Sequence, residues 1–110
     1  MSSQQTMLKS ELKSILEHKE ICELQIENSR TRQEKFHKKM QDTYEIEDHG
    51  LWKVLGLPTQ PDLKEDRKRI ADNLAEENKY MCNIKEKYAQ LQSKIESLQR
   101  QIAKFENNPQ

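Results

Sequence analysis

The chain has 110 residues, of which 33% are hydrophobic and 35% charged, and its 19 basic residues balance its 19 acidic residues. Globular domains average roughly 45–50% apolar and about 25% charged residues, so this chain lacks the apolar side chains that a compact multilayer core needs. A net charge of zero also removes the broad attraction on which non-specific nucleic-acid and membrane-surface binders rely. Composition leaves disorder or an elongated helical structure with a narrow apolar seam.

A first helix is predicted over residues 3–49, because this stretch contains neither glycine nor proline. Apolar side chains recur along it at alternating intervals of four and three, which is the heptad period of a coiled coil. These seam residues are Leu8, Leu12, Ile15, Ile26, Phe36 and Met40. The seam is weakened by the other residues that share it, namely Lys19, Cys22, Ser29, Gln33, Thr43 and Glu47. Gly50 is predicted to end the helix in a left-handed conformation.

An apolar connector is predicted over residues 50–62, where both glycines and two of the three prolines occur. Its apolar residues are Leu51, Trp52, Val54, Leu55 and Leu57. Because loops are usually polar, this composition allows two interpretations. The segment folds over the helix ends as a cap, or it is a docking element, since an aromatic anchor among aliphatic residues is typical of interaction hot spots. Both hold if a partner completes the cap.

A second helix is predicted over residues 63–107, with Asp62 as its N-cap, Glu65 completing a capping box and Asn107 near its end. Its heptad pattern lasts for about six heptads, whereas three or four already indicate a coiled coil. Arg67 and Glu77 are the two charged interruptions. The apolar seam residues are Leu63, Ile70, Leu74, Met81, Ile84, Tyr88, Leu91, Ile95, Leu98, Ile102 and Phe105.

Folding the chain at about residue 55 brings the two seams together in complementary order. In this register Ile15 faces Ile95, Ile26 faces Ile84, and the small Cys22 faces the large Tyr88. The predicted fold is therefore all-α, an antiparallel coiled-coil hairpin that forms one elongated domain over residues 1–110. Slips by one heptad, and an open pair of helices that each join another chain, are the alternatives.

Apolar residues off the first seam suggest that helices of another chain complete the fold. Leu16, Ile21, Leu24, Tyr44 and Ile46 lie outside it, and a two-helix structure buries little surface for its length. We expect protein partners in a homo- or hetero-oligomer, with parallel and antiparallel arrangements both open.

We do not expect catalysis or metal binding by this chain. A two-helix hairpin offers no concave, water-poor pocket, and His18, His37 and His49 lack metal-ligand spacing. We therefore predict no catalytic residue, metal site, cofactor or small-molecule substrate. No apolar run is long enough to cross a bilayer. Cys22 and Cys82 would be offset by roughly 9 Å along the hairpin, so we expect free thiols and an intracellular location, in the cytoplasm or nucleus.

The function predicted from these features is that of a non-enzymatic assembly or scaffold subunit. It would oligomerise through its seams and dock a partner through the Leu51–Leu57 connector, in a cytoskeletal, centrosomal, ciliary, chromosome-associated or tethering complex. The alternative is a dimeric arm that binds nucleic acid through basic clusters at residues 30–39 and 64–69. No stacking aromatics are interleaved with these charges, which makes nucleic acid the less favoured partner.

Overall fold

The computed structural model describes residues 3–50, 54–56 and 61–107. It contains two helices, α1 (Ser3–His49) and α2 (Pro61–Asn107), each of 47 residues. At 1.5 Å per residue each helix is about 70 Å long. Segments early in α1 contact segments late in α2, so the helices are antiparallel. The predicted all-α helical hairpin is confirmed.

The bounds of the helices differ from the prediction only at the start of α2. This helix begins at Pro61, two residues before the predicted start, so Asp62 lies in its first turn and is not the N-cap. Proline is favoured at the first helical position, because its fixed φ suits the helix and its missing N–H would be unpaired there anyway. The Asp62 carboxylate still lies at the positive end of the helix dipole.

The left-handed backbone predicted at Gly50 is found at Gly56, whose φ is +70°. Gly50 is instead a position of close approach, since a Cβ added there would lie 2.7 Å from the carbonyl oxygen of Ile46. The carbonyl oxygen of Gly50 also accepts a hydrogen bond from the Val54 N–H at 3.5 Å. The prediction for Gly50 was therefore wrong, although a glycine is still required there for a steric reason.

Contacts divide the chain into two compact units, which we call the terminal unit (Met1–Glu27 with Cys82–Gln110) and the central unit (Asn28–Met81). In the terminal unit the buried side chains of Ile15, Ile95 and Leu98 form an apolar cluster. The half-buried residues packed against this cluster are Leu8, Leu12 and Leu91. This arrangement agrees with the predicted register, which places Ile15 opposite Ile95.

The central unit has a more polar interior than the terminal unit. Leu63 and Met81 are buried there, but so are the polar residues Ser29 and Thr43. The guanidinium of Arg67 donates to the Thr43 hydroxyl across the two helices at 3.1 Å. Thr43 and Arg67 face each other in the same register that pairs Ile15 with Ile95, so the contacts within each unit agree with one register.

Candidate protein-binding surface

The predicted seam residues all lie at buried or half-buried positions of α1 and α2. Seven of them are buried, namely Ile15, Leu63, Met81, Ile84, Ile95, Leu98 and Ile102. The half-buried ones are Leu8, Leu12, Ile26, Phe36, Met40, Ile70, Leu74, Tyr88, Leu91 and Phe105. The seams face each other within one chain, and whether they also pair with another chain stays a prediction.

Arg67 is the centre of a polar cluster in the central unit. Its guanidinium forms an ion pair with Glu47, donates to the Thr43 carbonyl oxygen at 3.4 Å, and lies 4.0 Å from the centre of the Tyr44 ring. The Thr43 hydroxyl in turn donates to the carbonyl oxygen of Met40 at 2.6 Å. A planar, always charged guanidinium suits this combination of a carboxylate, a carbonyl group and an aromatic face. Arg67 interrupts the apolar seam, but it binds α1 at several points.

A second arginine, Arg32 of α1, pairs with Glu77 of α2. Nε and Nη2 of Arg32 lie 2.9 and 2.8 Å from Oε1 of Glu77, and the guanidinium lies 5.4 Å from the Tyr80 ring centre. This guanidinium is the main cause that lowers the pKa of Glu77, and Glu77 raises the pKa of Arg32. The fully buried Ser29 hydroxyl has no hydrogen-bond partner among the described residues. The dipole of this hydroxyl still makes a smaller contribution to the lowering of the Glu77 pKa.

Lys19, which has no acidic partner on the opposite seam, lies over an aromatic ring. Its Nζ is 5.6 Å from the ring centre of Tyr88, and the Tyr88 hydroxyl donates to Glu23 at 3.3 Å. A cation over an aromatic face is stabilised by the ring quadrupole. The half-buried lysine therefore has a favourable environment inside the terminal unit, and Tyr88 links it to an acidic residue on α1.

Between Gly50 and Pro61 the structure describes only residues 54–56. Val54 is 78% exposed and Leu55 is 61% exposed. Leu51, Trp52 and Leu57, which the sequence also predicts to bind a partner, lie outside the described residues. Exposing two adjacent aliphatic side chains to water is unfavourable. Exposed apolar residues of this kind often mark a surface that a partner covers.

The side of α1 opposite its seam is also apolar in part. The residues at the c and f positions of the heptad, where the seam occupies a and d, form what we call the outer face. These residues are Ser3, Met7, Ser10, Ser14, Glu17, Ile21, Leu24, Asn28 and Thr31. On it Met7 is 70%, Ile21 52% and Leu24 64% exposed. Leu16, Tyr44 and Ile46, which the sequence also places off the seam, are exposed on other sides of α1. Sequence reasoning noticed Ile21 and Leu24 but missed Met7, which follows the same spacing.

Cations of both basic clusters are engaged within the chain. Arg32 pairs with Glu77, Arg67 with Glu47, and Arg69 with Asp66 at 3.6 Å. These acidic partners reduce the local positive potential that a phosphate backbone would meet. The clusters are therefore a weaker nucleic-acid surface than their sequence suggests.

Among the described residues, no three histidine, cysteine or acidic side chains gather in a way that could hold a metal ion. Cys22 is buried and Cys82 exposed, and both are free thiols. Neither α1 nor α2 contains a stretch apolar and long enough to cross a bilayer.

The comparisons with known proteins give no relative. No protein-family model matches the chain, and no significant match exists among curated proteins or solved structures.

Proposed function

We propose that this chain is a non-enzymatic coiled-coil assembly subunit that docks a protein partner through its connector. The observation that supports this most is the exposure of Val54 and Leu55, at 78% and 61%, in a chain with few apolar residues to spare. Protein interfaces commonly have an apolar centre and a polar rim. Val54 and Leu55 would supply the apolar centre, and the charged residues of the two helices would supply the rim.

The two helices suit this role because their seams already face each other within one chain. Burial of Ile15, Ile84, Ile95 and Leu98 within the hairpin holds the helices together. What remains for a partner is the connector and the apolar residues outside the seams. A reducing compartment, the cytoplasm or nucleus, is part of the proposal, and the two free thiols support it.

The experiment compares partner capture by baits that differ at one connector residue. The baits are the wild-type chain, Val54→Asp, Leu55→Asp and Trp52→Ala, and captured proteins are quantified by mass spectrometry. Asn83→Asp is the matched control, because it adds the same charge at an exposed position of α2. Each candidate partner is then purified and titrated against the same variants.

The proposal predicts a direct partner whose affinity falls at least about tenfold with each connector variant and is unchanged with Asn83→Asp. Circular dichroism must show the same helicity for all baits. If the three connector variants captured the partner as well as the wild-type chain does, the docking role of the connector would be contradicted. Loss of helicity in the connector variants would show that this segment is a structural cap alone.

A further inference from the structure

We propose that a second copy of this chain binds the outer face of α1 in the terminal unit, with the two α1 helices antiparallel. This proposal rests on the proposed function, in which the chain is an assembly subunit. The outer face combines exposed apolar residues with a charge pattern that is complementary to itself.

The outer face is almost free of charge, although 35% of the chain is charged. Between Ser3 and Thr31 its only charged residue is Glu17. Its apolar members Met7, Ile21 and Leu24 are exposed. Met7 lies two heptads before Ile21, Leu24 lies three residues after it, and Ser10, Ser14 and Glu17 occupy the positions between. At the next c and f positions the pattern reverses, and all four residues are charged: Lys35, Lys38, Asp42 and Glu45. The apolar face is therefore limited to the first part of α1.

One antiparallel register matches this face with itself. It places Met7 opposite Leu24 of the second copy and Ser10 opposite Ile21 of the second copy, and two-fold symmetry repeats each contact. At the centre, Ser14 lies opposite Glu17 of the second copy, where its hydroxyl can donate to the carboxylate. The small serines leave room for the large aliphatic side chains, so that the two helices can approach closely. From Met7 to Leu24 the contact is about 26 Å long.

The same register brings complementary polar side chains together at the edges of the face. Lys13 lies opposite Glu20 of the second copy on one side, and Glu11 lies opposite His18 of the second copy on the other. All four residues are exposed in the described structure. Symmetry doubles each pair, so two Lys13–Glu20 ion pairs flank the apolar layers on one side, and on the other side two Glu11 carboxylates each face a His18 imidazole that can donate a hydrogen bond. Charge complementarity of this kind selects one register and orientation more than it adds affinity.

A parallel pair of the same faces is unfavourable. It would place Glu17 against Glu17 of the second copy in the middle of the contact, and further along it would oppose Lys35 to Lys35 and Lys38 to Lys38. Like charges that face each other directly are destabilising. In the antiparallel register each Glu17 lies opposite Ser14, the two Glu17 positions are offset by about 4.5 Å along the helix axes, and the overlap ends before these lysines.

The test measures self-association of the full chain by analytical ultracentrifugation, over about 1–300 µM. Lys13→Glu turns two attractive pairs into two repulsive ones, and we expect it to raise the dimer dissociation constant on the order of tenfold. The double variant Lys13→Glu/Glu20→Lys restores the pairs with exchanged signs and returns the constant to within about threefold of wild type. Leu24→Asp abolishes the dimer, whereas Ile46→Asp, an equally exposed control outside this face, leaves it intact.

Orientation is measured with a spin label at Ser3→Cys, in a background in which Cys22 is replaced by alanine and Cys82 by serine. In the antiparallel register the two labels are offset by about 38 Å along the helix axes, whereas in a parallel pair the offset is zero. A chain that stays monomeric, a charge swap that fails to restore association, or labels close together would each overturn the proposal. Partner capture through the connector is measured separately with Val54 and Leu55 variants, so each idea can fail without the other.

Discussion

Replacing one isoleucine in the seam and one on the outer face separates the internal contacts of the hairpin from its exposed surface. Ile95 is 3% exposed and belongs to the apolar cluster with Ile15 and Leu98. Ile95→Ala removes three side-chain carbons from that cluster, at about 0.8 kcal/mol each, and leaves a cavity. After a gain of a few tenths from the better helix propensity of alanine, we expect a loss of about 3 kcal/mol in the free energy of unfolding.

Ile21→Ala is the matched control, because Ile21 lies in the same unit but is 52% exposed. Its effect should stay within about 0.5 kcal/mol. Urea unfolding followed by circular dichroism at 222 nm measures both, at concentrations low enough to exclude self-association. With an m value of roughly 1–3 kcal/mol/M, the midpoint of Ile95→Ala falls by about 1–3 M. Equal effects of the two substitutions would refute the assignment of the seam.

Three further predictions concern polar and backbone features. Arg67→Ala should cost about 1–3 kcal/mol of stability, because it leaves the Glu47 carboxylate half-buried without this guanidinium; Arg69→Ala, on the exposed surface, should cost less than about 0.5 by the same urea assay. Glu77→Gln should destabilise the chain at pH 7. Because its folded pKa is lowered from 4.5, the wild-type advantage should be lost as pH falls through that folded pKa, and a difference that does not shrink as the pH falls below 4.5 would contradict it. Gly56→Ala should cost about 1 kcal/mol at φ +70° by thermal melting, and no change would be incompatible with this backbone.

The helices and their pairing could be predicted from the sequence because one physical requirement dominates them. A chain with few apolar residues must place them on one side of each helix, and the breakers at Gly50, Gly56 and Pro61 leave only one place to turn. The register followed from matching apolar residues such as Ile15 and Ile95. This information is periodic, so a count along the chain recovers it.

The polar contacts could not be predicted in the same way, because the heptad period shows where a polar residue lies but not which side chain it contacts. Glu77 was predicted only to interrupt the seam, but it pairs with Arg32, which lies off the seam of α1. Arg67 was read only as an interruption, although the register already placed Thr43 opposite it. A long side chain can reach partners several ångströms from its own position, and a heptad count contains no information about that reach.

The central claim is that the two helices pair within one chain and leave the connector and the outer face for partners. Spin labels at Ser14 and Glu96, both exposed and opposite each other in the register, test it directly in the background without native cysteines. The labelled chain is diluted with unlabelled chain so that only distances within a molecule are measured. Paired helices have axes about 8–10 Å apart, so we predict a label distance below about 25 Å. A distance beyond about 50 Å would mean that the helices separate and pair with other chains, and it would contradict the claim.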